Sequence, residues 1–192
     1  NNTGDKDKIT TIEQWGTQTW RSMFAAFYGC SNLSVPATDV PDLSEVTGFG
    51  SMFRDCSSLG QPAAIGSWDV SNASFFGQMF RGSSFKQDLT NWDMSTANNI
   101  RFMFAFATDF NQDLSSWDVS NATDFANMFL GALNFDQDLG AWDISSAGTM
   151  AAMLNGAGLS TTNYDATLIG WASLQAGEAQ IPSNVMLGAA GL

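Results

Sequence analysis

The sequence has no histidine, and only two of its 192 residues are cysteine. Histidine is the commonest general base and a frequent zinc ligand, so its absence removes the serine–histidine and cysteine–histidine nucleophilic pairs and most zinc sites. The sequence also lacks the glycine-rich phosphate loop, the dinucleotide-binding turn and the EF-hand calcium loop. Carboxylates are plentiful, but no spacing singles out an acid pair of the glycosidase type. We therefore predict that the chain is not an enzyme and holds no cofactor.

Basic residues are scarce as well. The chain contains seven Lys and Arg residues and nineteen Asp and Glu residues, which gives a net charge of −12 and an isoelectric point near 4.1. Nucleic-acid backbones and anionic lipid surfaces are themselves negative, so neither is an expected partner. No run of the sequence approaches the roughly 18 apolar residues that a membrane-spanning helix needs. We therefore expect no nucleic-acid partner and no membrane insertion, whereas the charge favours cations or basic surfaces.

The sequence repeats one short pattern, and its clearest copies are "SFKQDLTNWDMS", "DFNQDLSSWDVS" and "NFDQDLGAWDIS". Aligned copies share one column of large apolar residues at spacings of 26, 27, 24, 25 and 25 residues, formed by Phe27, Phe53, Phe80, Phe104, Phe129 and Leu154. A period of this length is typical of stacked repeat units. The alignment predicts interior positions for Phe53, Phe80, Phe104, Phe129, Trp92 and Trp117, and a packing role for the Met, Phe and Trp columns in general.

Each repeat carries two local patterns. In "NATDFANMFLGA" the apolar residues recur at i, i+3, i+4 and i+7 from Phe125, which is typical of one face of a helix. In "LSSWDVS" the residues Leu114, Trp117 and Val119 follow L-x-x-L-x-L, which indicates a short strand of a leucine-rich repeat. These patterns predict an α/β fold. The architecture would be a leucine-rich-repeat-like solenoid of about six coils, with one short parallel strand and one helix in each coil.

Four segments carry a resemblance to a known family: "AFYGCSNL", "MFRDCSSL", "MFRGSSFKQDLTNWDMS" and "MFAFATDFNQDLSSWDVSNATDF". They resemble the BspA-type leucine-rich-repeat family, a group of bacterial and protist surface proteins, over nearly the whole chain. The resemblance implies a cell-surface or secreted location, adhesion to host or matrix proteins, and no catalysis. This sequence departs from ordinary leucine-rich repeats where an asparagine ladder is replaced by Ala73, Ala97, Ala122 and Ala147.

The repeats are expected to form one domain over residues 1–192. Residues 1–20 would hold an N-terminal cap and the start of the first coil, residues 21–160 the repeats, and residues 161–192 a C-terminal cap. In that cap Tyr164, Leu168, Ile169 and Trp171 stand at helical spacing. The final segment, "EAQIPSNVMLGAAGL", resembles the start of a further repeat, so we expect a domain that was cut from a larger chain.

One acidic column contains Asp42, Asp69, Asp93, Asp118 and Asp143, and the last four of these directly follow a tryptophan. Two interpretations stay open for it. Each carboxylate can accept backbone N–H bonds in an Asx-type turn. Alternatively, the column can form a strip that binds cations, with calcium as the candidate, or a basic partner. A second acidic column, Asp88, Asp113 and Asp138, is expected to be a solvated corner.

The two cysteines, Cys30 and Cys56, occupy the same column of consecutive repeats. Stacked equivalents would bring their Cα atoms within disulfide range, and an extracellular location would permit oxidation. The sequence therefore predicts a Cys30–Cys56 disulfide, against the alternative of two reduced, buried thiols.

Taken with the resemblance, these features favour a non-catalytic extracellular adhesion or interaction module of a bacterial surface protein, acting as a monomer on a protein or glycan ligand. Two alternatives stay open. The domain can be a structural spacer in a large surface protein, or it can be a carbohydrate-binding module.

Overall fold

A computed structural model describes residues 4–59, 64–173 and 186–191. Within these ranges the chain forms one α-helix, α1 (Thr161–Trp171), and two short 3₁₀ helices at Asp5–Lys8 and Ile65–Ser67. The rest consists of turns and irregular segments joined by isolated parallel β-bridges, without a named strand in the described residues. The predicted α/β leucine-rich-repeat solenoid, with a strand and a helix in each coil, is therefore wrong.

The predicted helix of each repeat fails because its backbone is left-handed at two positions. We call the affected stretches the turn segments: residues 23–29, 49–55, 76–82, 100–106, 125–131 and 150–156. The third and seventh residues of every turn segment have positive φ angles, such as 54° at Phe102 and 58° at Phe106. An α-helix requires negative φ at every residue and an unbroken series of bonds to the fourth preceding carbonyl. The apolar spacing is thus produced by consecutive turns and not by a helix.

Alternate amides of a turn segment bond to the next repeat instead. In the segment 100–106, the amides of Ile100, Phe102, Phe104 and Phe106 donate to carbonyls of residues 124–130 at 2.7 to 3.0 Å. The amides between them bond locally, as Met103 does to the Ile100 carbonyl at 3.2 Å. This alternation satisfies the buried backbone without secondary structure of either regular type.

The predicted strands also fail. In "LSSWDVS" the Trp117 amide bonds to the Leu114 carbonyl at 3.1 Å, which closes a turn. Among the described residues, this stretch makes no backbone–backbone bond to its equivalents in neighbouring repeats. Leu114, Trp117 and Val119 nevertheless point into the core, where at most 3% of each residue is exposed. The alternating pattern correctly marks the inward residues, but a turn and not a strand presents them.

The core is a set of apolar columns that run through successive repeats. Adjacent rings of the central column are nearly parallel, with centroids 5.7 Å apart for Phe80 and Phe104 and for Phe104 and Phe129. A second column contacts it closely, since Phe104 and Phe110 have centroids 3.9 Å apart. The predicted interior set is confirmed: at most 3% of any member is exposed, for Phe53, Phe80, Phe104, Phe129, Trp92 and Trp117.

Three buried tryptophans of later repeats satisfy their indole N–H groups on the preceding repeat, whereas the buried indole N–H groups of Trp20 and Trp68 have no acceptor within the described residues. Trp92 donates to the Ile65 carbonyl, Trp117 to that of Leu89 and Trp142 to that of Leu114, at 2.8 to 2.9 Å. A buried indole N–H without an acceptor would lose hydration without compensation. The tryptophan column is therefore a structural element of the core and offers no exposed platform to a sugar.

Helix α1 follows the last turn segment and continues the tryptophan column. The Ser160 hydroxyl caps it by accepting from the Asn163 amide at 3.3 Å, and Trp171 donates to the Leu139 carbonyl at 2.8 Å. The helical spacing seen in the sequence of this region is thus confirmed, although Ile169 is 68% exposed. No helix in the described ranges has the length and apolar character to cross a membrane.

The segment 186–191 lies against the last turn segment. The Leu154 amide donates to the Gly188 carbonyl at 2.9 Å, and the Gly156 amide donates to the Ala190 carbonyl at 2.8 Å. These bonds repeat the pattern between earlier turn segments. The remainder of the predicted C-terminal cap, residues 174–185, lies outside the described residues.

Candidate ligand-binding surface

The acidic column that follows the tryptophans forms Asx-type turns. Asp69, Asp93 and Asp118 each accept from the amide and the hydroxyl of the serine two residues later, at 3.0 to 3.1 Å and 2.6 Å. Asp143 accepts from the Ser145 amide at 2.9 Å. The turn-capping interpretation is confirmed, because one oxygen of every carboxylate holds the corner of its own repeat.

The second acidic column closes turns in the same way. Asp88 accepts from the amide and hydroxyl of Thr90, Asp113 from the Ser115 amide and Asp138 from the Gly140 amide. The three amide bonds are each 2.8 Å long. These residues are exposed, as predicted, but they also bond to the backbone, which the sequence interpretation did not include.

Hydrogen bonds to the ionised form alter the acidity of these groups. The Ser71 hydroxyl and amide lower the pKa of Asp69, and Ser95 and Thr90 do the same for Asp93 and Asp88. The described residues contain no group of three or more His, Cys, Asp or Glu placed to hold a metal ion. The cation strip along Asp69, Asp93, Asp118 and Asp143 stays a prediction.

We expect the capped carboxylates to give the domain an acid-sensitive stability. A carboxyl group whose folded pKa is depressed stabilises the fold above its unfolded pKa of about 3.9 and loses that contribution as pH falls through the folded value. The melting temperature should therefore fall as the pH is lowered from about 5 to 2. Replacing Asp69 and Asp93 by Asn, which still accepts from the amide, should reduce this slope in calorimetry. An unchanged slope would contradict a stabilising role for the ionised form.

The two cysteines are free in the structure, so it does not contain the predicted Cys30–Cys56 bond. Both are buried beside the same carbonyl. The Cys30 amide and the Cys56 thiol each donate to the Phe27 oxygen at 3.0 Å. Burial raises the pKa of Cys56 to about 12 and that of Cys30 as well, which keeps both thiols protonated and poorly nucleophilic at neutral pH. The disulfide of an oxidised chain stays a prediction.

Aromatic and basic side chains collect along the outer side of several turn segments. We call this surface the arginine–aromatic strip and define it as Phe24, Phe75, Arg81, Arg101, Phe102 and Phe106. Glycines allow the side chains to lie close to the backbone. A Cβ on Gly50 would meet the rings of both Phe24 and Phe75, and one on Gly77 would meet Phe75 and Arg101. The strip is therefore continuous across neighbouring repeats.

The arginines of the strip lie over its rings. The guanidinium carbon of Arg81 is 5.5 Å from the ring centroid of Phe102 and 5.7 Å from that of Phe106, while Arg101 is 5.4 Å from Phe102. These distances are within the range of cation–π attraction. Arg101 also approaches the Asp124 carboxylate at 3.9 Å. Arg81 forms no ion pair within the described ranges, and besides the two rings its guanidinium contacts the Gln78 amide oxygen, at 3.5 Å.

Two phenylalanines of the strip have strained backbones. Phe102 and Phe106 occupy the two left-handed positions of one turn segment. The equivalents of Phe106 in other repeats are Gly29, Asp55, Gly82, Gly131 and Gly156, which accept this conformation more easily. Phe106 is nonetheless 46% exposed. A bulky residue that is both strained and exposed contributes little to the core, and such outliers are often found at functional sites.

Sequence reasoning missed this strip. The repeat alignment assigned no role to Phe102 or Phe106, whose own columns were not compared. That comparison carries a signal, since most equivalents of both residues are small or polar. The exposure and the left-handed backbone required the structure.

The described residues thus define a repeat protein with an apolar core, turn-capping carboxylates and one exposed surface rich in arginine and phenylalanine. The chain belongs to the family described as "Mycoplasma protein of unknown function, DUF285", whose model matches residues 2–98 and 63–167. No curated protein and no solved structure matches the chain.

Proposed function

We propose that the domain is a non-catalytic interaction module that adheres to a protein or glycan on a surface, through the arginine–aromatic strip. The observation that carries this proposal is the exposure of Phe24 and Phe106, 64% and 46%, in a strip where Arg81 lies over Phe106 although the chain is acidic. Arginine and aromatic residues are enriched in the centres of interfaces and contribute much of their binding energy. The resemblance to BspA-type surface proteins supports an extracellular location.

The use of the other side chains supports a binding role over an enzymatic one. The carboxylates of both acidic columns hold turns, and most methionine, tryptophan and phenylalanine side chains are buried, with Met186 exposed and Trp20 half-buried. General acid–base catalysis requires positioned groups whose pKa lies near the working pH. The shifted aspartates have a pKa below the usual range, which moves them away from that condition.

An array of matrix proteins and glycans, probed with the purified domain, tests the proposal. We expect saturable binding that is lost in the double variant Phe24→Ala, Phe102→Asn. Asparagine suits the left-handed backbone, as Asn127 shows in the next repeat. The matched control is Ile169→Ser, which removes an exposed apolar residue from α1 outside the strip. Binding that survives the double variant would remove the strip from the proposal, and a domain without any ligand would favour the spacer alternative.

A further inference from the structure

A surface depression in the first repeat is lined by aromatic rings and one carboxylate. Its volume is about 450 Å³, and its lining includes Glu13, Trp15, Trp20 and Phe27. We call it the aromatic depression, and none of its lining residues belongs to the arginine–aromatic strip. Glu13 is exposed, and it alone is charged among the described residues that line the depression.

The three rings of the aromatic depression meet at steep angles. The centroids of Trp15 and Trp20 are 6.1 Å apart with an angle of 81° between the ring planes, and those of Trp15 and Phe27 are 6.0 Å apart with an angle of 70°. Trp20 and Phe27 contact no common ring other than Trp15 in the described part of the chain, and they do not contact each other. Trp15 is buried, whereas Trp20 and Phe27 are half-buried. Trp15 therefore joins two partly accessible rings that stay apart from each other.

Comparison with later repeats shows that the packing of the core does not require a ring at Trp20. The equivalents of Trp20 are small or medium-sized apolar residues, all buried: Val46, Ala73, Ala97, Ala122 and Ala147. The indole N–H of Trp20 has no acceptor within the described residues, so a smaller side chain would lose no internal hydrogen bond. Phe27 is also unusual in its column. It stacks on Phe53 at 5.7 Å but is only half-buried, whereas Phe53 is fully buried, so part of the Phe27 ring is accessible to a ligand.

We propose that the aromatic depression binds a quaternary ammonium group such as that of choline, a site and a ligand class beyond the proposed function. A trimethylammonium group is attracted to the faces of tryptophan and phenylalanine rings within about 6 Å of their centroids. The Glu13 carboxylate supplies the opposite charge, and it forms no ion pair with a described lysine or arginine. The net charge of −12 also favours the approach of a cation over that of an anion.

The lining selects a methylated cation that has no anion attached close to it. A primary ammonium is strongly hydrated and presents three donors, and aromatic rings do not replace the acceptors that water gives it. A phosphate beside the cation, as in phosphocholine, would approach the Glu13 carboxylate and would meet no basic side chain among the described lining residues. We therefore expect choline to bind in preference to both ethanolamine and phosphocholine.

The test uses four small probes in NMR titrations that follow the indole N–H signals of Trp15 and Trp20. Choline is the expected ligand, and 3,3-dimethylbutan-1-ol is its neutral counterpart of the same shape. Ethanolamine carries the primary ammonium, and phosphocholine adds the phosphate. We expect saturable shifts of both signals with choline and at least fivefold weaker binding of each of the other three probes. Failure of choline to bind, or equal or tighter binding of any other probe, overturns the inference.

Two variants place the binding in the aromatic depression. Trp20→Val introduces the residue that Val46 provides in the next repeat, and it should weaken choline at least tenfold. Glu13→Gln changes only an exposed side chain and should weaken choline at least threefold, so it decides the question if Trp20→Val melts early. The matched control, Asp109→Asn, removes an equal charge from another exposed position and should leave the affinity unchanged. Choline affinity that is unaffected by Glu13→Gln, or that falls equally in Asp109→Asn, contradicts the assigned site.

Discussion

Replacing Phe104 by Ala should cost the domain about 3–5 kcal/mol of unfolding free energy, the range for removing a buried Phe side chain. Phe104 is fully buried, and its ring lies between those of Phe80 and Phe129 and directly against that of Phe110. Turn segments bond on both sides of it, so the neighbours cannot collapse into the cavity without breaking backbone bonds between repeats. Chemical denaturation monitored by tryptophan fluorescence measures the loss.

The control for this variant is Leu133→Ala, at a residue that is 63% exposed. Surface substitutions away from special features usually change stability by less than about 0.5 kcal/mol. If the two variants unfold at the same denaturant concentration, Phe104 does not occupy the central column and the packing described above is incorrect.

The second large effect on stability is expected for Gly170→Ala. We expect this variant to be less stable than the parent, although replacing a glycine by alanine in a helix usually increases stability. Alanine stabilises a helix interior by about 1 kcal/mol relative to glycine. At Gly170, however, a Cβ would lie 2.3 Å from the carbonyl oxygen of Gly140, far inside van der Waals contact. Since backbone atoms form the obstacle, helix α1 must move away from the core. We expect a loss of about 1–3 kcal/mol, the range for overpacked sites.

A second alanine variant on the same helix separates the effect of helix propensity from the effect of the steric clash with Gly140. Thr162 is exposed near the start of α1, so Thr162→Ala should leave stability unchanged or raise it by a few tenths of a kcal/mol. Calorimetry of both variants gives the comparison. A Gly170→Ala protein that is more stable than the parent would show that α1 does not pack on Gly140.

The sequence predicted correctly which residues are buried. It did not predict the backbone conformation that buries them. The columns through Phe104 and Trp117 follow from repeated apolar positions, and burial depends directly on that repetition. The helix around Phe125 was wrong because its spacing of three and four residues is also produced by successive tight turns. Only the φ angles distinguish the two, and residues such as Asn127 and Phe102 give no glycine signal for a left-handed position.

The candidate surface also contains one part that could be predicted from the sequence and one that could not. The Asx turns at Asp93 and Asp118 could be predicted, because an aspartate two residues before a serine carries its own bonding partners. The unusual size of Phe102 and Phe106 within their columns is visible in the sequence, but the strip as a continuous surface is not, since Arg81 and Phe106 come from different repeats and meet only when those repeats lie side by side. A local pattern reports contacts within a few residues and is silent about contacts made across a whole repeat.

The bonding between turn segments also determines how the domain would carry a load. Successive turn segments bond to one another, so tension between the two ends of the chain acts on every boundary between repeats and the weakest boundary breaks first. A repeat of 25 residues that detaches lengthens the chain by at most about 80–90 Å. The repeats that remain keep their cores and their bonds. An adhesive contact made through one such domain would therefore lengthen in steps and absorb work before it separated.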